Sequence, residues 1–232
     1  MNALFLNRIA EYKHTELCFE TSKNIIFYKI RRQNALLSRY QQPLFAGPWK
    51  AETLEHLLLL EARAAKHFWN RFSLLVGERY QFFARIQHGQ NIVNKLLDIG
   101  YHHLTNKVRG LLAEQKTPME IGLFHRAHRA TATPLAYDLV ELFRSDFVDR
   151  EVLKFLRLKK RPLQEIDQAS VRKLLFRINK RFEKSVYLKA FHQCHSLGYY
   201  MTLQIVHCIA AINHKMVFHP LVLPDRHEDR CP

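Results

Sequence analysis

The sequence predicts an all-α protein, a helical bundle, on three observations. Apolar residues recur three and four positions apart rather than in strict alternation. Seven glycines and eight prolines are few for 232 residues, so long stretches run without a helix breaker. Hydrophobic residues make up 47% and charged residues 25%, a balance that supports a packed core rather than a disordered chain. One domain with extensions accounts for this length.

The elements follow in order. Ser22 to Tyr40 sets Ile25, Ile26, Ile30, Leu36 and Leu37 among Lys and Arg, the pattern of a basic amphipathic helix. Two prolines and a glycine between Gln41 and Trp49 interrupt it, and the apolar pattern resumes from Glu52 to Phe72. A further helix is predicted from Asn91 to Leu112, then a His-, Arg- and Thr-rich loop from Lys116 to Pro134, a residue suited to opening a helix. Helices are expected over Leu135 to Phe143, Val148 to Leu156, Ser170 to Lys184 and Tyr187 to Asn213. This divides the chain into an extension with an entry helix (1–48), a main helical domain (49–222) and a tail (223–232).

Thirty-six Lys and Arg against 21 Asp and Glu give a formal charge of +15, which calls for an anionic partner, nucleic acid first. No apolar run approaches the roughly 20 residues of a membrane span, so no membrane partner is expected. The N-terminal residues show no secretory signal, and the expected location is cytoplasmic. Cys18, Cys194, Cys208 and Cys231 have no pairing pattern and are expected as thiols. No Gly-rich phosphate loop and no G-x-S-x-G elbow occurs, which argues against nucleotide hydrolysis and esterase chemistry.

Three places could carry chemistry. Glu61 falls on the stripe Leu54, Leu58, Ala65, Phe68 and Phe72, and a carboxylate there needs a Lys or Arg partner, a proton or a metal. Asp138 and Glu141, three apart in LAYDLVELF, share one partly apolar helix face, where a solvated edge and a shared cation are both open readings. His125, with His128 as a nearby competitor, could supply an imidazole ligand.

Taken together, EARAAKHFW, NIVNKLLDIGYHHL, GLFH and YDLVELFRSDFVD resemble, in order and spacing, the Cas1 family of CRISPR adaptation integrases and endonucleases. SKNIIFYKIRRQNALLSRY resembles that family's linker helix, and the likeness runs from about Ser22 to Pro220. The resemblance implies a helical catalytic domain in which Glu61, His125 and Glu141 bind a divalent metal and Asp138 assists. Two carboxylates and an imidazole suit Mn²⁺ or Mg²⁺. It further implies transesterification that joins protospacer 3′-hydroxyl ends to CRISPR repeat DNA. The implied partners are double-stranded DNA, a second copy of the chain or a higher oligomer, and a Cas2 subunit. Ala62, Asn91 and Ser145 depart from the family pattern of glycine, aspartate and proline, and only about 20 residues precede the linker helix where the family usually carries a β domain, which leaves open a compact member or a β domain on an absent segment. A casposon-like transposon integrase and a non-catalytic DNA-binding subunit are the alternatives.

Lys173, Arg177, Lys180, Arg181 and Lys184 form a helical stripe opposite Leu174, Leu175, Ile178 and Phe182 that could follow a phosphate backbone. Arg157, Lys159, Lys160 and Arg161 form a second cluster, and Arg126 and Arg129 flank His125. The segment HQCH at His192 to His195 matches no common zinc spacing and is set aside.

Overall fold

The computed structural model describes residues 3–126, 132–159, 161–188 and 191–223. Its helices are α1 (Ala3–Tyr12), α2 (Glu16–Ser38), α3 (Leu54–Val76), α4 (Ile92–Glu114), α5 (Pro134–Val140), α6 (Arg150–Arg157), α7 (Gln168–Glu183) and α8 (Leu197–Asn213). A 3₁₀ turn at Glu78–Tyr80 and a π-helical turn at Ser145–Asp149 complete the helical part. The predicted all-α class stands, with one small addition, an antiparallel hairpin of β1 (Ser185–Leu188) and β2 (Gln193–Ser196).

Local chemistry fixes most helix starts. Thr15, Thr53, Asn91, Asp167 and Ser196 each cap a helix by accepting a hydrogen bond from a first-turn amide. Pro134 opens α5, as its fixed φ predicts. α2 begins six residues earlier than Ser22, because Thr15 caps it, and Ser22 sits inside the helix with its hydroxyl donated to the Cys18 carbonyl at 2.7 Å. The single helix predicted over Tyr187 to Asn213 is instead the end of β1, β2 and α8. Val186 and Leu188 alternate inward as strand residues, and His192 adopts a left-handed φ of 52° at the turn.

α2 lies in the centre, with Ile25, Ile26, Ile30, Leu36 and Leu37 buried. α1, absent from the sequence expectation, adds Phe5, Ile9 and Tyr12 to the same core. The buried face of α3 is Leu57, Leu60, Ala64, Phe68, Phe72 and Val76, whereas Leu54 and Leu58 are exposed. The expected stripe was therefore rotated by one position at its N-terminal end, and Glu61 is half-buried at the border of the core. Gly100 of α4 admits the π turn, since a Cβ there would meet Val148 Cγ1 at 2.5 Å. Cys18 and Cys208 are buried thiols, but Cys194 is disulfide-bonded, against the expectation of thiols throughout. Among the described residues no helix is long and apolar enough to cross a membrane.

One buried ion pair ties α2 to the π turn. Arg32 grips Asp146 with both arms of its guanidinium, Nε at 2.8 Å and Nη2 at 2.9 Å, while Nη1 donates to the Leu223 carbonyl. Arg181 of α7 donates to the Asp146 carbonyl at 3.0 Å, so the two arginines fasten one turn from opposite sides. Burial alone would raise the Asp146 carboxyl, but the charge and hydrogen bonds of Arg32 outweigh it and hold the group below its ordinary 3.8. Asp146→Ala is expected to cost about 3–5 kcal/mol at neutral pH, because the buried Arg32 loses its carboxylate counter-charge. A depressed carboxyl pKa contributes stability above the unfolded-state value and loses it as pH falls through the native one. The deficit of Asp146→Ala in urea unfolding should therefore shrink as pH is lowered through the acid range. A deficit that stays constant would show the pair to be unimportant.

Candidate metal centre

The predicted site residues are brought together from α3, the segment before α5, and α5 with its C-terminal end. Asp138 is fully buried in α5 and organises the 122–125 segment. Its Oδ2 accepts from the Leu123 amide at 2.5 Å, its Oδ1 accepts from the His125 amide at 2.9 Å, and the His125 Nδ1 lies 2.7 Å from Oδ1. A carboxylate already accepting from two amides takes its third hydrogen bond from an imidazole N–H, so in the neutral ring Nδ1 carries the proton and Nε2 keeps its lone pair. Gly122 explains the glycine of GLFH: a Cβ there would meet Asp138 Oδ2 at 2.7 Å and the His125 carbonyl at 2.7 Å.

Glu141 follows α5 and points the other way. Its Oε1 accepts from Arg144 Nη1 at 2.7 Å, and its Oε2 lies 2.7 Å from Lys29 Nζ of α2. The same ammonium pairs with Glu61 Oε1 on α3. Two carboxylates, one on α3 and one just beyond α5, thus converge on one cation, and the Lys29 side chain is only 9% exposed there. Despite the short ion contact, Glu141 Oε2 is buried without an aligned hydrogen-bond donor. Burial alone would raise the Glu141 carboxyl, but the charges of Arg144 and Lys29 bring it down to about 2. Burial pulls the His125 imidazole down, but the hydrogen bond and charge of Asp138, then Glu141 and Glu61, lift it above its ordinary 6.5. Burial likewise raises the Asp138 carboxyl against the pull of His125 and the two amides.

Sequence reasoning missed Lys29, Arg144 and Tyr101. Lys29 lies four residues after Ile25 and seven before Leu36, on the apolar stripe itself, and that placement was the available signal. Arg144 stacks 4.1 Å from the centre of the Tyr101 ring, and the Tyr101 hydroxyl donates to Asp149.

His125 and Glu141 open onto a cleft of about 710 Å³ whose walls include Arg85, His102, Arg109, Tyr137 and Arg144. Arg126 is exposed beside it in sequence, while His128, Arg129 and Lys160 lie outside the described residues. A second cleft of about 520 Å³ between α6 and α7 gathers Arg177, Lys180, Arg181 and Lys184 with Arg150 and Lys154. Lys173 is exposed and does not line it, and Arg181, predicted on the polar stripe, is buried. Arg177 is paired with Glu151 at 3.0 Å and Lys180 with Glu183 at 2.7 Å, so part of the stripe's charge is internally balanced.

Among the described residues no three His, Cys, Asp or Glu side chains form a ready-made metal cage. The donor set nevertheless suits a divalent cation: two carboxylates already sharing one positive charge, a buried oxygen without an aligned donor, and an imidazole whose tautomer is fixed from behind.

The fold is shared with solved structures of similar helical domains. It aligns with a structure described as a casposase bound to integration product, with a TM-score of 0.79 over all of this chain and 71% of that one at 18% identity. A Cas1 protein from Thermotoga maritima gives 0.81 over 94% of this chain and 74% of that one, also at 18% identity. A Cas6-RT-Cas1–Cas2 complex gives 0.74 over 94% of this chain and 26% of that one. In sequence, residues 2–187 match the family model described as CRISPR associated protein Cas1, and the chain belongs to this family. It is 35% identical over 115 residues to CRISPR-associated endonuclease Cas1 1 of Archaeoglobus fulgidus, covering 44% of this chain and 31% of that protein. Against the protein of that name from Saccharolobus solfataricus it is 27% identical over 169 residues, 66% of this chain and 47% of the relative. The chain thus spans less than half the length of these relatives.

Gly122→Ala is expected to cost about 1–3 kcal/mol by crowding Asp138. It should also release His125 from its tautomer, visible as a change in the imidazole ¹⁵N spectrum. An unchanged spectrum would show that the close approach at Gly122 does not orient the ring.

Proposed function

We propose that the chain is the catalytic part of a metal-dependent DNA integrase and endonuclease that joins protospacer 3′-hydroxyl ends to CRISPR repeat DNA. The observation that carries this reading is the convergence of Glu61 and Glu141 on one cation, with Glu141 and the oriented His125 lining a cleft that also presents Arg85, Arg109 and Arg144. Glu61, His125 and Glu141 are the residues that would hold Mn²⁺ or Mg²⁺. When bound, the metal supplies Lewis-acid stabilisation of charge on the target phosphodiester.

The chain's own residues do the rest. Asp138 keeps the Nδ1 proton on His125 and fixes the direction of Nε2. Arg144, steadied by Glu141 and the Tyr101 ring, presents a guanidinium edge to the cleft, where it can meet a phosphate. Arg109 is placed against Thr133 and Tyr137 on the same wall and serves the flanking backbone. One phosphodiester bond forms to the incoming 3′-oxygen as another breaks to release a 3′-hydroxyl, so no nucleotide hydrolysis is required. Water in place of the 3′-hydroxyl gives nicking, the endonuclease outcome.

The α6–α7 cleft, Arg126 and Lys173 are further places for DNA backbone, and Arg129 belongs to the same proposal. Two strand joinings require two copies of the site, which supports a dimer or higher assembly, and a Cas2 subunit fits the complexes in which similar structures occur. The curated relatives favour spacer acquisition over transposition, while the casposase likeness rests on the fold alone.

On a branched DNA that mimics a half-joined product, Glu61→Gln, His125→Ala and Glu141→Gln should each abolish Mn²⁺-dependent strand rejoining. Asp138→Asn is expected to lower it about 10–100-fold through loss of His125 orientation. DNA binding with no metal-dependent chemistry in the unaltered protein would favour a non-catalytic DNA-binding subunit. Separately, Arg109→Ala should weaken DNA binding and reduce the salt slope by about one. An unchanged slope would remove Arg109 from the backbone contacts.

A further inference from the structure

Among the described residues Lys29 is the one lysine whose ammonium touches two of the proposed metal ligands. It leaves α2 from the buried face, between Ile25 and Gln33, and reaches Glu61 of α3 and Glu141 beyond α5. Its helix is anchored close by, because Arg32, about one turn on, is bound to Asp146 and to the Leu223 carbonyl. Only the four-carbon side chain is free to move, and a lysine is a compact charge on a flexible stem rather than a rigid fork.

An ammonium and a divalent cation make opposite demands on the same oxygens. Lys29 brings one positive charge to Glu61 Oε1 and Glu141 Oε2, while Arg144 covers Glu141 Oε1. A metal bound between the two carboxylates would meet the ammonium at contact distance, where like charges repel strongly in a dry site. The two occupants therefore exclude each other. We infer that Lys29 is an internal competitor for the metal: it holds Glu61 and Glu141 together until a divalent cation displaces its ammonium. This inference rests on the metal-centre reading above, and Lys29 is a positioning residue in it. It also accounts for the lack of a ready-made cage among the described residues, since the carboxylate pair is gathered around a lysine.

The consequence is a weakened metal affinity, because each binding event must first free the carboxylates. The test is Mn²⁺ binding by calorimetry and electron paramagnetic resonance, without DNA, for the unaltered protein and Lys29→Met. Lys29→Met should bind Mn²⁺ about 10-fold more tightly or better, while its metal-free form melts at a lower temperature and gains more on Mn²⁺ addition. Should Lys29→Met fail to fold, amine labelling of the unaltered protein with an N-hydroxysuccinimide ester, read by peptide mass spectrometry, decides instead. Lys29 should label slowly without metal and faster with Mn²⁺. Equal or weaker Mn²⁺ binding by a folded Lys29→Met, or labelling that Mn²⁺ leaves unchanged or slows, overturns the inference and leaves the metal centre standing. Absence of Mn²⁺ binding in both proteins overturns the metal centre and the inference together.

Discussion

The structure depends on burying an acidic segment against cations that arrive from other helices. Asp138, Glu141, Asp146, Asp149 and Glu151 are all buried within one continuous stretch of chain. Carboxylates of one sign so close together would repel if they faced one another. They are instead divided among partners: Asp138 to the 123–125 backbone and His125, Glu141 to Lys29 and Arg144, Asp146 to Arg32, Asp149 to Tyr101 and Ser145, Glu151 to Arg177. The π turn at Ser145–Asp149 makes this division possible. Every residue from Ser145 to Asp149 is buried, so both of its acids depend on partners from neighbouring groups.

The partners shift these acids in opposite directions. Glu141 and Asp146 touch formal cations and are held below their ordinary range in spite of burial. Asp138 and Asp149, whose contacts are amides, hydroxyls and an imidazole, are raised by burial. Asp138 is thereby occupied as the hydrogen-bond anchor of the 123–125 segment, while Glu141 faces the cations. The spacing of D-x-x-E places the two acids on neighbouring positions, and the partners give them separate tasks.

Much of this was legible in the sequence. Three-and-four periodicity located α2, α3, α4 and α7, and Pro134 marked the start of α5. The pairing of Asp138 with His125 could not be read from spacing, because a buried turn between residues 122 and 125 makes it, and that turn needs Gly122. The hairpin before α8 was hidden because its strands are four residues long and merge into an apolar helical pattern. Lys29 and Arg32 were counted with the polar face of a basic helix. A cation on an apolar stripe is informative only when its acidic partner is known, and those partners lie on other elements.

The positions that depart from the family pattern show why the site tolerates them. Asn91 caps α4 by accepting from the Val93 amide at 2.9 Å, as an aspartate would, and its amide nitrogen also donates to the Tyr80 carbonyl at 2.8 Å. Ala62 lies on the exposed side of α3, away from the face that carries Leu60 and Ala64, so a methyl group there meets no constraint. Ser145 gives what a proline could not, a hydroxyl donated to Asp149 Oδ2 at 3.1 Å, in a turn where every buried acid needs a donor. Each change leaves the partners of Asp138 and Glu141 in place, and those partners determine which carboxylate anchors the histidine and which one keeps its charge.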